Sequence, residues 1–217
     1  MNARTASTAT ALTTTLGSAT AAWLLVVPKM EDMDTTPGTG LGPFTFLVAL
    51  WLPMMAAMML PGAVPAVLRA TRASGRVRAA PMFVGSYLAI WSLVGTAAWV
   101  VYGPHRPFVA GAIVLAAGMY ELTPLKREFR RRCRGGGGSG VRFGLCCVGS
   151  SIGLMLMLVA LGVMSVPWMI VITVVVLGQK ILAPTFVIDV PIALAIVGLG
   201  IAIALAPSSI PWLMPQM

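Results

Sequence analysis

A chain of 217 residues that is 58% hydrophobic and only 10% charged, with a mean hydropathy of +0.92, has the composition of a membrane protein rather than a soluble globular one. Its formal net charge of +9 could suggest nucleic acid, but no groove-reading helix or aromatic stacking platform accompanies the charge, so nucleic acid is excluded as a partner. The length leaves room for a single integral membrane domain, 1–217, without a soluble module.

Seven apolar runs follow in chain order: 8–27, 43–68, 81–102, 108–125, 143–164, 167–182 and 187–206. Most are near the ~20 residues that cross a hydrocarbon layer. The first has a basic start and small residues, as a signal peptide would. It runs on through Trp23 to Pro28 without a small-x-small cleavage site, so it reads as a retained helix. The second carries Pro53 and Pro61, the fourth ends at Thr123-Pro124, and the sixth is the shortest, so that it is either a less tilted span or partly re-entrant.

The segments between the runs give orientation. Thirteen of the fifteen Lys and Arg residues fall on one side: Arg4, then Arg69 to Arg78, then Lys126 to Arg142, and Lys180. Only Lys29 and Arg106 fall on the other. Basic residues in short loops stay cytoplasmic, so the expectation is an all-α, seven-span bundle in the cell membrane with its N-terminus in the cytoplasm. The inner segment 126–142 reads as a loop, with a flexible glycine-rich stretch at 135–140. The outer loop 28–42 holds the acidic cluster Glu31, Asp32 and Asp34 beside Met30 and Met33. The tail from Pro207 to Met217 reads as an interfacial anchor.

No phosphate loop, dinucleotide fingerprint, paired-carboxylate motif or HExxH string occurs, and His105, the single histidine, sits in a tight Gly-Pro turn. The chain is therefore not expected to be an enzyme. Sulfur is its unusual resource, with 15 methionines and three cysteines. In the second run, Met54/Met58 and Met55/Met59 are i,i+4 pairs and place four thioethers on about one third of a helix. Methionine is also an ordinary gap-filling apolar residue, but soft thioethers favour Cu(I) over harder ions. In the fifth run, Cys147, Ser151 and Met155 form one stripe, with Cys146, Ser150 and Met157 beside it. Cys133 ends the basic segment. All three cysteines face the reducing side, where a structural disulfide is not expected; a vicinal pair there is a soft ligand set, a small buried pair or an acylation site. Glu121, near the inner end of the fourth run, either faces a cavity or partner or pairs with Lys126 or Arg127. Asp189 is expected to titrate in the interface.

Several strings together resemble a bacterial family of predicted metal-binding integral membrane proteins, some labelled copper chaperones. They are Met54-Met55-Ala56-Ala57-Met58-Met59-Leu60-Pro61, Gly85-Ser86-Tyr87-Leu88-Ala89-Ile90-Trp91, Ala117 to Lys126 with its Thr123-Pro124-Leu125-Lys126 end, and Gly144 to Gly149 running on to Gly162–Met169. The similarity covers about 40–182. Where the family has two cysteines after the Thr-Pro-Leu-Lys string, this chain has Phe129 and Cys133. Where the family has a Cys-x-Gly-Cys-Cys run, Cys147 remains, and Ser150 and Ser151 replace the final pair. Gln179 stands where a glutamate commonly precedes the lysine.

These readings combine into one expectation: a membrane protein that binds, delivers or transports copper as Cu(I). Met30 and Met33 would capture the ion outside. Met54, Met55, Met58 and Met59 would receive it, facing Met155 or Met157. Cys147, Cys146 and Cys133 would accept it at the cytosolic end, with Glu121 as a further candidate ligand. The alternative is a non-catalytic accessory subunit of a larger membrane complex, such as a copper-dependent membrane enzyme. The expected partners are the lipid bilayer and a membrane metalloenzyme or other membrane subunits.

Overall fold

The computed structural model describes residues 3–34, 44–101, 107–135, 138–161, 166–182 and 186–205. All regular structure among them is helical: α1 (Ala3–Asp34), α2 (Phe44–Met59), a 3-10 turn (Pro61–Ala63), α3 (Val64–Ser74), α4 (Ala79–Val101), α5 (Pro107–Glu121), α6 (Pro124–Gly135), α7 (Gly140–Leu161), α8 (Val166–Ile181) and α9 (Phe186–Leu205). Three of these hold stretches long and apolar enough to cross a membrane, at Thr5–Lys29, Ala79–Ala97 and Gly140–Leu158. The pair Leu50–Met59 and Pro61–Ser74 passes the same test jointly but is bent by 49°. Shorter apolar helices cover Ala112–Glu121, Val166–Ile181 and Asp189–Ala202. Large apolar side chains such as Leu24, Met82, Leu93, Met119, Val174 and Leu194 are exposed along these helices, as a lipid-facing surface requires.

Three elements differ from the expectation. The first helix does not stop at residue 27: α1 runs through Pro28 to Asp34, so the segment carrying Met30 and Met33 is helical, not a loop. Hydropathy marks where apolar character ends, whereas a helix continues while its backbone bonds are made. The second run is two helices, because Pro61 supplies no N–H and Gly62 and Pro65 follow it. α3 then ends at Gly75, whose left-handed φ of 63° suits a residue without Cβ; its N–H bonds the Thr71 carbonyl at 3.0 Å. The basic segment after residue 124 is not a loop either: Pro124–Gly135 is helical. Of the glycine-rich stretch, Gly136 and Gly137 lie outside the described residues, as do His105 and the tail from Pro207.

The chain divides into two compact units. The first comprises Met1–Lys29, Leu41–Tyr102 and Arg132–Val148, the second Met30–Gly40, Gly103–Arg131 and Gly149–Met217; the divisions fall inside α1, α6 and α7. In the first unit, α1 is tied to α2 by the Trp23 indole, which donates to the Ala57 carbonyl. Trp51 of α2 donates to the Trp91 carbonyl of α4 at 2.9 Å, and its indole lies where a side chain at Gly95 would have to go. α4 and α7 meet at Phe143, whose ring centroid is 5.6 Å from those of both Phe83 and Tyr87.

In the second unit, α5 and α9 pack through their small residues. A Cβ at Gly118 would stand 2.6 Å from the Val197 side chain, and one at Gly200 would stand 2.9 Å from the Leu115 backbone nitrogen. Such close approach is how apolar helices gain dispersion contact where lipid gives no hydrophobic drive between them. The Phe129 ring of α6 covers Gly149 of α7, and Tyr120 donates to the Gly149 carbonyl at 2.5 Å.

Candidate functional site

The sulfur cluster is carried by the last six residues of α2. Regular helical geometry puts Met54 above Met58 and Met55 above Met59. All four are at most 1% exposed, and Ala56, Ala57 and Leu60 between and beyond them are buried as well. The segment is thus enclosed on every face, which an ordinary lipid-facing helix is not. The thioethers stand directly before the bend at Leu60-Pro61, where regular helical bonding stops.

A thiol–phenol cluster belongs to the same unit. Cys147 is fully buried on α7, and its Sγ lies 3.1 Å from the hydroxyl of the equally buried Tyr87 on α4. Cys133 is partly exposed near the end of α6. Cys146 is buried beside Cys147, and no disulfide joins any of the three cysteines. Tyr87 was not among the residues singled out from sequence. Its signal was present in the Gly85–Trp91 string, where a buried phenol needs a polar partner.

The two stripes of α7 are buried along their length: Ser151 and Met155 in line with Cys147, and Ser150 and Met157 in line with Cys146. Both serines and both methionines lie beyond Val148, in the second unit. Met30 and Met33 lie on the last turns of α1, with side chains outside the described residues. Among the described residues, no group of three or more His, Cys, Asp or Glu side chains is arranged to hold a metal ion.

Glu121 has a different setting. Its Oε2 accepts from Lys126 Nζ and, at 3.0 Å, from Gln179 Nε2, while Lys126 also donates to Gln179 Oε1 at 2.9 Å. Of the two readings from sequence, the geometry selects pairing with Lys126. One turn along α6, Arg130 Nη1 donates to Asp189 Oδ1, and its Nε and Nη2 reach the Gln179 carbonyl at 3.2 and 2.5 Å. Asp189, expected at an interface, is instead 1% exposed and paired with Arg130. Four helices meet in this network, with two cations matched to two carboxylates, as buried charge requires. Burial pulls the Lys126 ammonium below the ordinary lysine range, and the Glu121 carboxylate opposes that shift.

The network also bears on one departure from the resemblance noted above, Gln179. A glutamate at 179 would put a second carboxylate against Glu121, whereas the Gln179 amide accepts from Lys126 and donates to Glu121. At position 129, the aromatic ring is packed on Gly149.

Compared with known proteins, residues 48–203 match a family described as PpoB2, copper chaperone. No curated protein and no solved structure is significantly similar to the chain.

Proposed function

Because the chain belongs to the PpoB2 copper chaperone family, we propose that it is a multi-pass protein of the cytoplasmic membrane that holds Cu(I) as cargo on thioether and thiol sulfur. The observation that carries this reading is the complete burial of Met54, Met55, Met58 and Met59 at a proline-broken bend, in a unit that also buries Cys146 and Cys147. Thioethers and thiolates are the donors that favour Cu(I), and a bent apolar helix is where backbone and side chains can line an ion position inside a membrane. Met54, Met55, Met58 and Met59 are the proposed carriers. Cys147, with Cys146 and Cys133, forms the receiving end, and Met30 and Met33 form the capture end. Glu121 is assigned to the ion-pair network instead.

The proposed topology is seven spans, counting α2 with α3 as one and leaving α6 outside the hydrocarbon. Its support is the one-sided distribution of Lys and Arg. The test is elemental analysis of protein purified under reducing, copper-replete conditions. Wild type is expected to retain copper, and the Met54→Leu/Met55→Leu/Met58→Leu/Met59→Leu variant to fall to the level of a mock preparation. Copper-free wild type, or an undiminished variant, would overturn the reading.

A second reading, an accessory subunit of a larger membrane complex, is favoured by one observation. Phe129, where the resemblance implies a cysteine, is built into the packing over Gly149. Co-purification with a membrane enzyme at fixed stoichiometry, without bound metal, would select it.

A further inference from the structure

The two neighbouring cysteines of α7 have different surroundings. Cys147 is fully buried and meets the hydroxyl of Tyr87, itself fully buried on α4, at 3.1 Å. Cys146 is buried beside it, and no hydrogen bond reaches its sulfur among the described residues.

Packing sets this difference. Phe83 and Tyr87 are one turn apart on α4, and Phe143 and Cys147 are one turn apart on α7, so each pair shares a helix face. The Phe143 ring stands 5.6 Å from both aromatic rings of α4. The two helices come close at glycines. A Cβ at Gly140 would run into the Phe83 carbonyl, and one at Gly144 would stand 3.1 Å from the Ile90 side chain. The phenol ring is thus pinned, and its hydroxyl is presented to Cys147.

Chemistry fixes the direction of that bond once the sulfur is loaded. A sulfur that carries Cu(I) is a thiolate without a proton, so only the phenol can donate. A buried thiolate without a donor is costly, and hydrogen bonds to charged acceptors are the strong ones. Groups that hydrogen-bond a metal's ligands tune how tightly the metal is held.

We propose that Tyr87 is a positioning residue that makes Cys147, and not Cys146, the thiolate that receives Cu(I). The inference rests on the copper reading above and names the sulfur at its receiving end.

The experiment is competition for Cu(I) against a coloured Cu(I) chelator, with the full chain in detergent under reducing conditions. Tyr87→Phe is expected to weaken binding by about 10–100-fold. Cys147→Ala should weaken it comparably and Cys146→Ala much less. Adding Tyr87→Phe to Cys147→Ala should cost nothing more, because the phenol acts through that sulfur. A merely structural tyrosine would weaken Cys147→Ala as much as wild type. That result, an unchanged Tyr87→Phe, or equal losses from the two cysteines would overturn the proposal and leave the copper reading standing. Wild type that takes up no copper would overturn both. Should Tyr87→Phe fold poorly, infrared difference spectra of Tyr102→Phe/Tyr120→Phe decide, since Tyr87 is then the single tyrosine. Adding Cu(I) is expected to shift its phenol band, and an unmoved band would overturn the proposal.

Discussion

The indole of Trp23 donates to the Ala57 carbonyl at 3.1 Å, and Ala57 is the residue whose helical partner would have been Pro61. Proline has no N–H to give, so a bend in an apolar helix leaves this carbonyl to be satisfied from outside. Trp23 does this from α1, across 34 residues of sequence. The bond lies beside the buried methionines and holds the bend in place. Trp23→Phe keeps the ring and removes the donor. The expected result is a loss of about 1–3 kcal/mol, read as a lower melting temperature in detergent, and weaker copper retention in the assay above.

Gly95 is an equally local device. A methyl group there would run into the Trp51 indole, whose nitrogen is committed to the Trp91 carbonyl. Gly95→Ala should therefore cost about 1–3 kcal/mol, whereas Gly85→Ala on the same helix, where nothing lies within 4 Å, should be neutral or slightly stabilising. Equal melting of the two variants would contradict the assigned contact.

The ion-pair network predicts non-additivity. Arg130→Met leaves Asp189 buried without its cation and should cost about 3–5 kcal/mol. Arg130→Met/Asp189→Leu removes both charges and should recover much of that loss. A double-mutant cycle with no coupling would show that the pair is incidental. Gln179→Glu should destabilise as well, and Gln179→Glu/Glu121→Gln should restore the balance of one carboxylate to one lysine.

Lys126 gives a pH dependence of definite sign. Its folded value lies below the ordinary 10.5, so between the two values the unfolded chain binds more protons than the folded one. Stability contributed by this group is therefore fully present above the ordinary lysine value and is lost as pH falls through the folded value. On the alkaline side, wild type should gain stability with rising pH over that window. Lys126→Met/Glu121→Gln should lack this increment, as melting at stepped pH would show.

The sequence alone determined the class of the protein. Apolar runs, one-sided basic residues and the i,i+4 methionines are local quantities, summed over a few turns, and needed no knowledge of packing. The quoted strings indicated the family, but 43–68 read as one run, and the break at Pro61 emerged only in the folded backbone. The same local measure placed the end of α1 too early and read the basic segment 126–142 as a loop, although it is helical as far as Gly135, because cations were taken to mean solvent. Only the tertiary structure decided that Lys126 and Arg130 turn inward. Arg130 meets Asp189 across 59 residues of chain, and which buried charge finds which partner depends on the helices that pack together. The enclosure of Met54 to Met59 on all faces, and of Cys147 against Tyr87, was decided in the same way. A helix fixes which side chains share a face, but its neighbours fix whether that face is covered.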